Sequence, residues 1–315
     1  MKVYLLPDTS SRGIMRVCDA LVQYAPEGIE LVEKPWDADL EIIHVYGRHD
    51  AIERRVRLLK EKKKPYAMIQ YALRSTMNPN VDDWIDMWSG AKVVWSYYDL
   101  LQLCLEDGIG TEAHDGFEGK KSFNFYHAPL GVDSNVFKDR MAENHVKLFW
   151  STRDGGLHKR FTIAACSQHA LAEGARECAF ATKRIGGQMF FLGHELRRGS
   201  DIYCKHNISD EELADYYSQC DFVSGLRRVE GFELPVIEGA LCGARPIVYD
   251  KPHYRQWFDD FAVFVKEGTR DELINDLESI FKADIPPVSE EEKQMIKERF
   301  DWNTIITNFW KQVLC

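Results

Sequence analysis

The sequence lacks a hydrophobic run long enough to span a membrane. In this chain of 315 residues the densest apolar stretches, such as 40–45 (LEIIHV), have the length of strands, whereas a membrane-spanning helix needs about 20 apolar residues. The opening residues reach a proline and an aspartate within eight positions, so they lack the apolar core of a secretory signal peptide. We therefore expect a cytoplasmic protein.

Paired cysteines and an excess of positive charge are also missing. The eight cysteines form no C-x-x-C pair, and neither they nor the ten histidines show the spacing of a zinc site. We expect reduced thiols that serve as small hydrophobic side chains. The net charge of −10 argues against extensive binding to nucleic acid or to an anionic membrane.

What the sequence does contain is an alternation of short β-rich runs and helical stretches, which is typical of parallel α/β sheets. The length fits two domains, and the polar segment 131–144 separates two such series. We predict two Rossmann-like domains with a cleft between them. Their predicted bounds are 1–135 and 136–300, followed by a closing helix over 301–315 that can return to the first domain.

The predicted elements follow from this alternation. In the first half we predict strands at 2–7, 29–33, 40–45, 65–70, 92–96 and 123–127, a loop at 8–13, and helices at 14–24 and 50–64. In the second half we predict strands at 146–151, 188–192, 201–205, 221–224, 245–249 and 262–265, and helices at 158–173, 209–219 and 234–242.

The most informative stretch is 220–250, which reads CDFVSGLRRVEGFELPVIEGALCGARPIVYD. It predicts a strand that enters a glycine-containing loop, and then a helix opened by Glu233 and Pro235 and closed by Cys242 and Gly243. Proline suits the first turn of a helix, and glycine suits the left-handed cap. The N-terminus of such a helix offers backbone N–H groups and the positive end of the helix dipole. The pattern therefore indicates a site for phosphate or for sugar oxygens.

Two glutamates are placed to line that site. Glu230 lies in the loop, and Glu238 lies eight positions later on the helix. Carboxylates accept hydrogen bonds, which suits the vicinal hydroxyls of a ribose or a hexose. On spacing alone the alternative stays open that Glu238 pairs on an exposed helix face and that Glu230 is a surface residue of the loop.

The run EGFELPVIEGALCGARPIV at 230–248 resembles the signature E-G-F-G-L-P-x-x-E-A-x-A-x-G-x-P-V of retaining, family 4 glycosyltransferases of the GT-B fold. Two further segments resemble family elements and occur in the same order, HAPLGVD at 127–133 and ISDEEL at 208–213. The resemblance is dense over about 126–258 and thin before it. It implies an α/β protein of two Rossmann-like domains whose parallel sheets face an interdomain cleft.

The resemblance also implies roles for the residues of this motif. Glu238 would hold the ribose hydroxyls of a nucleotide-sugar donor. Glu230 and the backbone N–H groups of Gly231, Phe232 and Glu233 would hold the transferred sugar. The family usually has a glycine where this chain has Glu233, so a new carboxylate at the sugar end could alter the choice of donor.

The family places an arginine and a lysine after the first strand of the C-terminal domain to neutralise the diphosphate. By that resemblance Arg153 and Lys159 would follow the predicted strand at 146–151, with His158 at the usual lysine spacing. Cations at this place make electrostatic sense, because a site without a metal must neutralise the leaving diphosphate with side chains. Arg160 is an alternative to Lys159, and two ordinary surface cations remain an alternative to both.

Three residues of the N-terminal domain are further candidates. Gly13 resembles the flexible glycine loop of the family, and a plain turn glycine is the alternative. Tyr71 stands where the family commonly has a histidine near the sugar, and a phenol can still bond a sugar hydroxyl. His44, at the end of the preceding strand, is a second candidate for the cleft, with a structural histidine as the alternative.

Two charged segments need an interpretation. Asp37-Ala38-Asp39 has the D-x-D spacing of metal-dependent glycosyltransferases, but it precedes a strand instead of following one, so we interpret it as a solvated strand entry and expect no metal or other cofactor. The basic segment 48–64 is either a solvated helix face or a patch for an anionic acceptor, which includes peripheral membrane contact.

We therefore expect a metal-independent hexosyltransferase that moves a sugar from a nucleotide-sugar, first of all of the UDP-glucose type, to an acceptor hydroxyl with retention. The acceptor would be a glycan, a lipid-linked molecule or a small molecule. A modified DNA base is a weaker alternative because the chain is acidic. Two other function classes stay open, a nucleotide-sugar epimerase and a non-catalytic protein that binds a nucleotide-sugar.

Overall fold

The computed structural model divides the chain into two compact units. Unit 1 consists of Met1–Gly131, Val229–Phe232 and Trp302–Cys315, and unit 2 consists of Val132–Arg228 and Glu233–Asp301. The structure describes residues 1–6, 12–46, 49–72, 82–106, 123–141, 161–166, 174–193, 201–228 and 231–315. Over these residues each unit is built on a parallel sheet of six strands with helices, so the predicted α/β class with two Rossmann-like sheets is confirmed.

Unit 1 carries the sheet order β2-β1-β3-β4-β5-β6. Strands β3 and β4 are buried along their whole length, as expected of parallel strands with apolar residues on both faces. The elements are β1 (Lys2–Leu6), α1 (Arg12–Gln23), β2 (Glu30–Leu31), β3 (Leu40–Val45), α2 (His49–Glu61), β4 (Tyr66–Gln70), α3 (Asp82–Trp88), β5 (Val94–Ser96), α4 (Leu100–Glu106) and β6 (Phe125–His127).

A buried carboxylate fastens the basic helix α2 to this sheet. Glu41 on β3 is 1% exposed. Arg55 donates to it from Nε at 2.8 Å and from Nη2 at 2.6 Å, and Lys64 Nζ lies 3.2 Å from it. A buried charge needs such partners, so part of the basic segment has a structural role. Five other cations among the described residues of the segment are exposed, namely Arg54, Arg57, Lys60, Lys62 and Lys63.

Unit 2 carries the sheet order β12-β11-β10-β7-β8-β9. Its elements are β7 (Phe161–Cys166), α5 (Ala175–Arg184), β8 (Met189–Leu192), β9 (Ile202–Lys205), α6 (Asp210–Ser218), β10 (Cys220–Gly225), α7 (Leu234–Leu241), β11 (Arg245–Tyr249), α8 (Pro252–Phe258), β12 (Val263–Val265), α9 (Arg270–Lys282) and α10 (Glu290–Arg299).

The strand order reverses between β7 and β10, because the chain proceeds to β8 and β9 on one side and to β11 and β12 on the other. Open parallel sheets bind ligands outside the carboxyl ends of their strands at such a switch point. In unit 2 this places the expected site after Cys166 and Gly225, the last residues of the two strands.

The predicted helix at 158–173 is wrong over Phe161–Cys166, which forms the central strand β7. The run FTIAAC is short and almost wholly buried, and such an apolar run cannot be assigned to a helix or a strand from periodicity alone. Helix α5, which follows, was not predicted. The predicted strand at 146–151 lies outside the described residues.

The C-terminal helix α11 (Trp302–Leu314) belongs to unit 1. The indole N–H of Trp310 donates to the carbonyl of Leu21 on α1 at 3.3 Å, and the hydroxyl of Tyr126 on β6 donates to the carbonyl of Ile305 at 2.9 Å. The helix therefore completes the cover of the first sheet. Among the described residues, no helix has the length and the apolar character needed to cross a membrane.

Candidate functional site

The segment between β10 and α7 adopts the predicted strand–loop–helix form. Glu233 is the N-cap of α7, and Pro235 lies in the first turn of the helix. Cys242 is the C-cap, and Gly243 follows with a φ of 96°, which is the left-handed conformation that glycine tolerates. At the end of β10, a Cβ at Gly225 would collide with Val236 and Val248. The absence of that atom lets the first turn of α7 pack closely against the sheet.

Glu238 is 2% exposed on α7. The alternative in which it pairs on an exposed helix face is therefore wrong. It lies one helical turn before Cys242, whose thiol pKa is raised by burial and, to a smaller extent, by the charge of Glu238. A carboxylate is costly to bury, so its position inside unit 2 calls for a specific role.

Glu233 is 1% exposed and joins three elements at the carboxyl edge of the sheet. Its Oε2 lies 3.0 Å from Nε of Arg227, and its Oε1 lies 3.4 Å from the hydroxyl of Tyr254 on α8. The same hydroxyl lies 3.1 Å from the carbonyl oxygen of Arg227. Nη2 of Arg227 donates to the carbonyl of Cys166 at 3.0 Å. These contacts place the Arg227 guanidinium between the ends of β7 and β10.

A second charged group lies at the ends of β11 and β12. Nζ of Lys251 lies 2.8 Å from Oε2 of Glu267 and donates to the carbonyl of Arg228 at 2.8 Å. Nη1 of Arg228 lies 3.6 Å from the other oxygen of Glu267. Both cations lie over the ring of Tyr249: Cζ of Arg228 is 5.8 Å and Nζ of Lys251 is 5.6 Å from the ring centroid.

Tyr249 is fully buried, and its hydroxyl has no hydrogen-bond partner among the described residues. Burial raises the pKa of this phenol to about 12, although Arg228 acts in the opposite direction. The hydroxyl therefore stays protonated at neutral pH, so it can donate one hydrogen bond.

In unit 1 the structure brings His44 and Tyr71 into contact. His44 is fully buried on β3, and Nδ1 lies 2.9 Å from the hydroxyl of Tyr71, which directly follows β4. Nε2 of His44 lies 3.6 Å from the thiol of Cys18 on α1. Burial raises the pKa of Tyr71 well above its ordinary value, and the charge of Cys18 acts in the same direction. The phenol is thus a neutral hydrogen-bonding group.

Gly231 and Phe232 belong to unit 1 and lie against two tyrosines that follow β5. A Cβ at Gly231 would collide with the rings of Tyr97 and Tyr98. The ring of Phe232 lies 5.7 Å from that of Tyr97, and the hydroxyl of Tyr97 donates to the carbonyl of Tyr71. Sequence reasoning missed both tyrosines, although a Tyr-Tyr pair directly after a buried strand was a visible signal.

The D-x-D segment lies at the amino ends of the strands of unit 1, whereas Tyr71 and Tyr97 follow the carboxyl ends. Asp37 ends a 3-10 turn, and Oδ2 of Asp39 accepts a hydrogen bond of 2.7 Å from the backbone N–H of Lys2, at the start of β1. The prediction of a strand entry is confirmed. Gly13, predicted in a loop, lies instead in the first turn of α1.

Comparison with solved structures supplies a fold for this arrangement. No family model and no curated protein matches the sequence. HepE from Anabaena, in complex with UDP-glucose, matches with a TM-score of 0.70 and 12% identity over 100% of this chain and 99% of its own. Sucrose-phosphate synthase from Thermosynechococcus elongatus matches with 0.63 and 14% identity over 88% and 73%. A trehalose-6-phosphate synthase matches with 0.63 and 10% identity over 95% and 77%.

These solved structures decide the architecture. The chain has the GT-B fold. Glu233 and Glu238 of the run at 230–248 lie in unit 2, and the fold expected from the sequence resemblance is confirmed.

The predicted phosphate cations lie in a part of the chain that the structure does not describe. Arg153, His158, Lys159 and Glu230 lie outside the described residues, as does Arg160. Arg153 and Lys159 are predicted to follow a strand at 146–151, which also lies outside the described residues; β7, at the switch point, comes after both in the chain. The segment after β7, 167–173, reads SQHALAE and contains no arginine or lysine. The roles of Arg153 and Lys159 stay a prediction.

Proposed function

We propose that this GT-B protein is a glycosyltransferase that moves a sugar from a nucleotide-sugar, of the UDP-glucose type, to an acceptor hydroxyl. The observation that carries the proposal is the buried carboxylate of Glu238 on a helix whose N-terminus follows β10 at the switch point. HepE, which has the same fold, was solved with UDP-glucose, and trehalose-6-phosphate synthase is described as acting with retention. Both solved structures support the proposal, which includes retention of the configuration of the transferred sugar.

The chemistry follows from the groups at this edge. Glu238 would accept hydrogen bonds from the ribose hydroxyls. The N-terminus of α7 would face sugar or phosphate oxygens, and the carboxylate of Glu233 makes no capping bond there because it is directed to Arg227 and Tyr254. As the bond between sugar and phosphate breaks, negative charge grows on the diphosphate, so fixed cations stabilise the transition state.

Retention would follow from a front-face reaction. The acceptor hydroxyl attacks from the side that the diphosphate leaves, and an oxygen of the leaving phosphate takes the hydroxyl proton. This step needs no carboxylate pair of the kind that glycosidases use. The neutral phenol of Tyr71, held by His44, would offer a hydrogen bond to a sugar hydroxyl. The acceptor would be a glycan, a lipid-linked molecule or a small molecule.

A nucleotide-sugar epimerase is the second candidate. The observation in its favour is the titratable cluster of Cys18, His44 and Tyr71 in unit 1, because an epimerase needs proton-transfer groups beside the sugar. Incubation with the donor separates the two classes. A transferase releases or transfers the sugar, whereas an epimerase returns an isomerised donor.

The first test is Glu238→Gln, which keeps the volume of the side chain and removes its charge. Loss of hydrogen bonds to a charged acceptor costs about 1.5–3 kcal/mol, so the affinity for UDP-glucose should fall roughly 10- to 150-fold. Titration calorimetry measures the affinity, and circular dichroism checks the fold.

The matched control is Glu291→Gln, an exposed carboxylate on α10, which should leave the affinity unchanged. An equal affinity of Glu238→Gln and the unsubstituted chain would remove Glu238 from the site. No binding of any nucleotide-sugar by the unsubstituted chain would overturn the proposed function itself.

A further inference from the structure

The proposed function requires cations for the diphosphate, and the structure indicates which residues supply them. The segment behind β7 contains no arginine or lysine. At the carboxyl ends of the neighbouring strands, two arginines come after Leu226, the residue that follows β10, and a lysine follows β11. We propose that Arg227, positioned by Glu233 and Tyr254, binds the diphosphate of the donor, together with Arg228 and Lys251. This inference rests on the proposed function.

The position of Arg227 is fixed by contacts from three elements. Its guanidinium donates to the carbonyl of Cys166 at the end of β7 and lies 3.0 Å from the carboxylate of Glu233. Its side chain is 22% exposed, whereas that of Glu233 is 1% exposed. The guanidinium therefore reaches the surface at the switch point, and the carboxylate that holds it stays inside.

Burial of the Glu233 carboxylate costs free energy, and this arrangement compensates that cost. A buried carboxylate destabilises a protein unless a well-placed cation and hydrogen bonds compensate it. Arg227 and Tyr254 provide them. An arginine held in this way keeps a preorganised planar donor set, which suits phosphate oxygens. Glu233 is thus a positioning residue, and it replaces a glycine of the resembled motif at the place where Arg227 needs an anchor.

Arg228 and Lys251 add net positive charge. They share the single carboxylate of Glu267, so the three cations of the cluster face two carboxylates. Side-chain exposure is 34% for Arg228 and 20% for Lys251, which leaves both accessible to an anion. The ring of Tyr249 lies beneath the same two cations.

The experiment compares phosphate-dependent and phosphate-independent binding. UDP, GDP, ADP, the matching nucleosides and inorganic pyrophosphate are titrated by calorimetry into the full chain and its variants. Arg227→Ala should weaken binding of the preferred nucleoside diphosphate about 10- to 100-fold and leave nucleoside binding within twofold. Arg227→Lys should restore part of the loss. Arg228→Ala and Lys251→Ala should each weaken diphosphate binding about 3- to 10-fold.

Arg255→Ala is the matched control. Arg255 lies on α8 of the same unit, is 46% exposed and pairs with Asp250 and Asp259, so its loss should leave all affinities unchanged. For the positioning role, Glu233→Gln should weaken diphosphate binding about threefold to tenfold in the unsubstituted background and have no further effect beside Arg227→Ala. A residue of purely structural importance would give the same loss in both backgrounds.

The outcomes separate this inference from the proposed function. Unchanged diphosphate affinity in Arg227→Ala, with a large loss in Arg153→Ala or Lys159→Ala, overturns the inference and leaves the glycosyltransferase proposal standing. Equal losses for nucleoside and diphosphate also overturn it, because they indicate a general disturbance. Failure of the unsubstituted chain to bind any of the diphosphates overturns both.

Discussion

At the residue scale, the tyrosines and histidine of unit 1 share one end of the sheet. Tyr71 follows β4 and Tyr97 follows β5, while His44 is the penultimate residue of β3. The hydroxyl of Tyr97 donates to the carbonyl of Tyr71, whose own hydroxyl reaches His44. A hydrogen-bonded chain thus runs across three neighbouring strands. Such a chain holds each ring in one orientation, as the proposed contact between Tyr71 and a sugar hydroxyl requires.

Tyr71→Phe tests that chain. Removal of the hydroxyl takes away the partner of a fully buried imidazole nitrogen, so we expect a loss of about 1–3 kcal/mol in the free energy of unfolding. Urea unfolding monitored by fluorescence measures it. Tyr46→Phe is the matched control, because Tyr46 directly follows β3 and is 41% exposed; it should change stability by less than about 0.5 kcal/mol. Equal stabilities of the two variants would contradict a role for the His44–Tyr71 bond.

At the element scale, most helices and strands were predictable from the alternation of β-rich and helical stretches and from the residues that favour turns and helix caps. Helix α7 begins and ends where Glu233, Pro235 and Gly243 indicated, because proline and glycine report backbone conformation directly. Strand β7 was missed because a short buried run carries no period. The partners of Glu233 and Glu41 also could not be predicted. They lie in the adjoining loop and on the following helix, and only the packing of these segments on the sheets decides which cations the two carboxylates meet.

The element scale also shows how α10 is fixed to β11. Arg245, at the start of β11, is 8% exposed and lies 2.6 Å from Oε1 of Glu292. It also donates to the carbonyls of Pro286 and Phe261. Oε2 of Glu292 accepts the backbone N–H of Ser289 at 2.6 Å in a capping box. One carboxylate thus caps its own helix and binds the neighbouring strand.

Glu292→Gln should lower the free energy of unfolding at pH 7 by about 1–3 kcal/mol, because Arg245 loses its counter-charge while it stays buried. Burial alone would raise the pKa of Glu292, but hydrogen bonds from Arg245 and Ser289 outweigh it and hold the pKa below its ordinary value. The contribution of the carboxylate is therefore present above the unfolded pKa and is lost as the pH falls through the folded pKa.

The check is a pair of urea titrations, at pH 7 and at about pH 3. The stability difference between Glu292→Gln and the unsubstituted chain should shrink at the lower pH. The control Glu291→Gln, on the same turn of α10 but exposed, should show no difference at either pH. A difference that grows on acidification would contradict this account of the pair.

At the scale of the whole molecule, the two parallel sheets differ in which strand ends carry charged residues. In unit 1, the aspartates of the D-x-D segment lie at the amino ends of the strands, where Asp39 bonds to β1. In unit 2, Arg227, Arg228 and Lys251 lie at the carboxyl ends. Since ligands of open parallel sheets bind at carboxyl ends, the cations and not the aspartates occupy the edge where a diphosphate would bind.

This distribution predicts turnover without a divalent metal. If Arg227 and its neighbours neutralise the leaving diphosphate, sugar transfer from UDP-glucose, or slow hydrolysis of that donor, should continue within twofold of its rate in excess EDTA. Asp37→Asn should leave the rate unchanged, because Asp37 is exposed at the amino ends of the strands.

Arg227→Ala should lower kcat by on the order of 10²-fold, by analogy with single electrostatic groups in other enzymes, and added Mg²⁺ or Mn²⁺ should not rescue it. Loss of activity in EDTA that returns with Mn²⁺ would contradict charge neutralisation by side chains. Rescue of Arg227→Ala by Mn²⁺ would likewise contradict it, because a metal ion would then neutralise the diphosphate at that position.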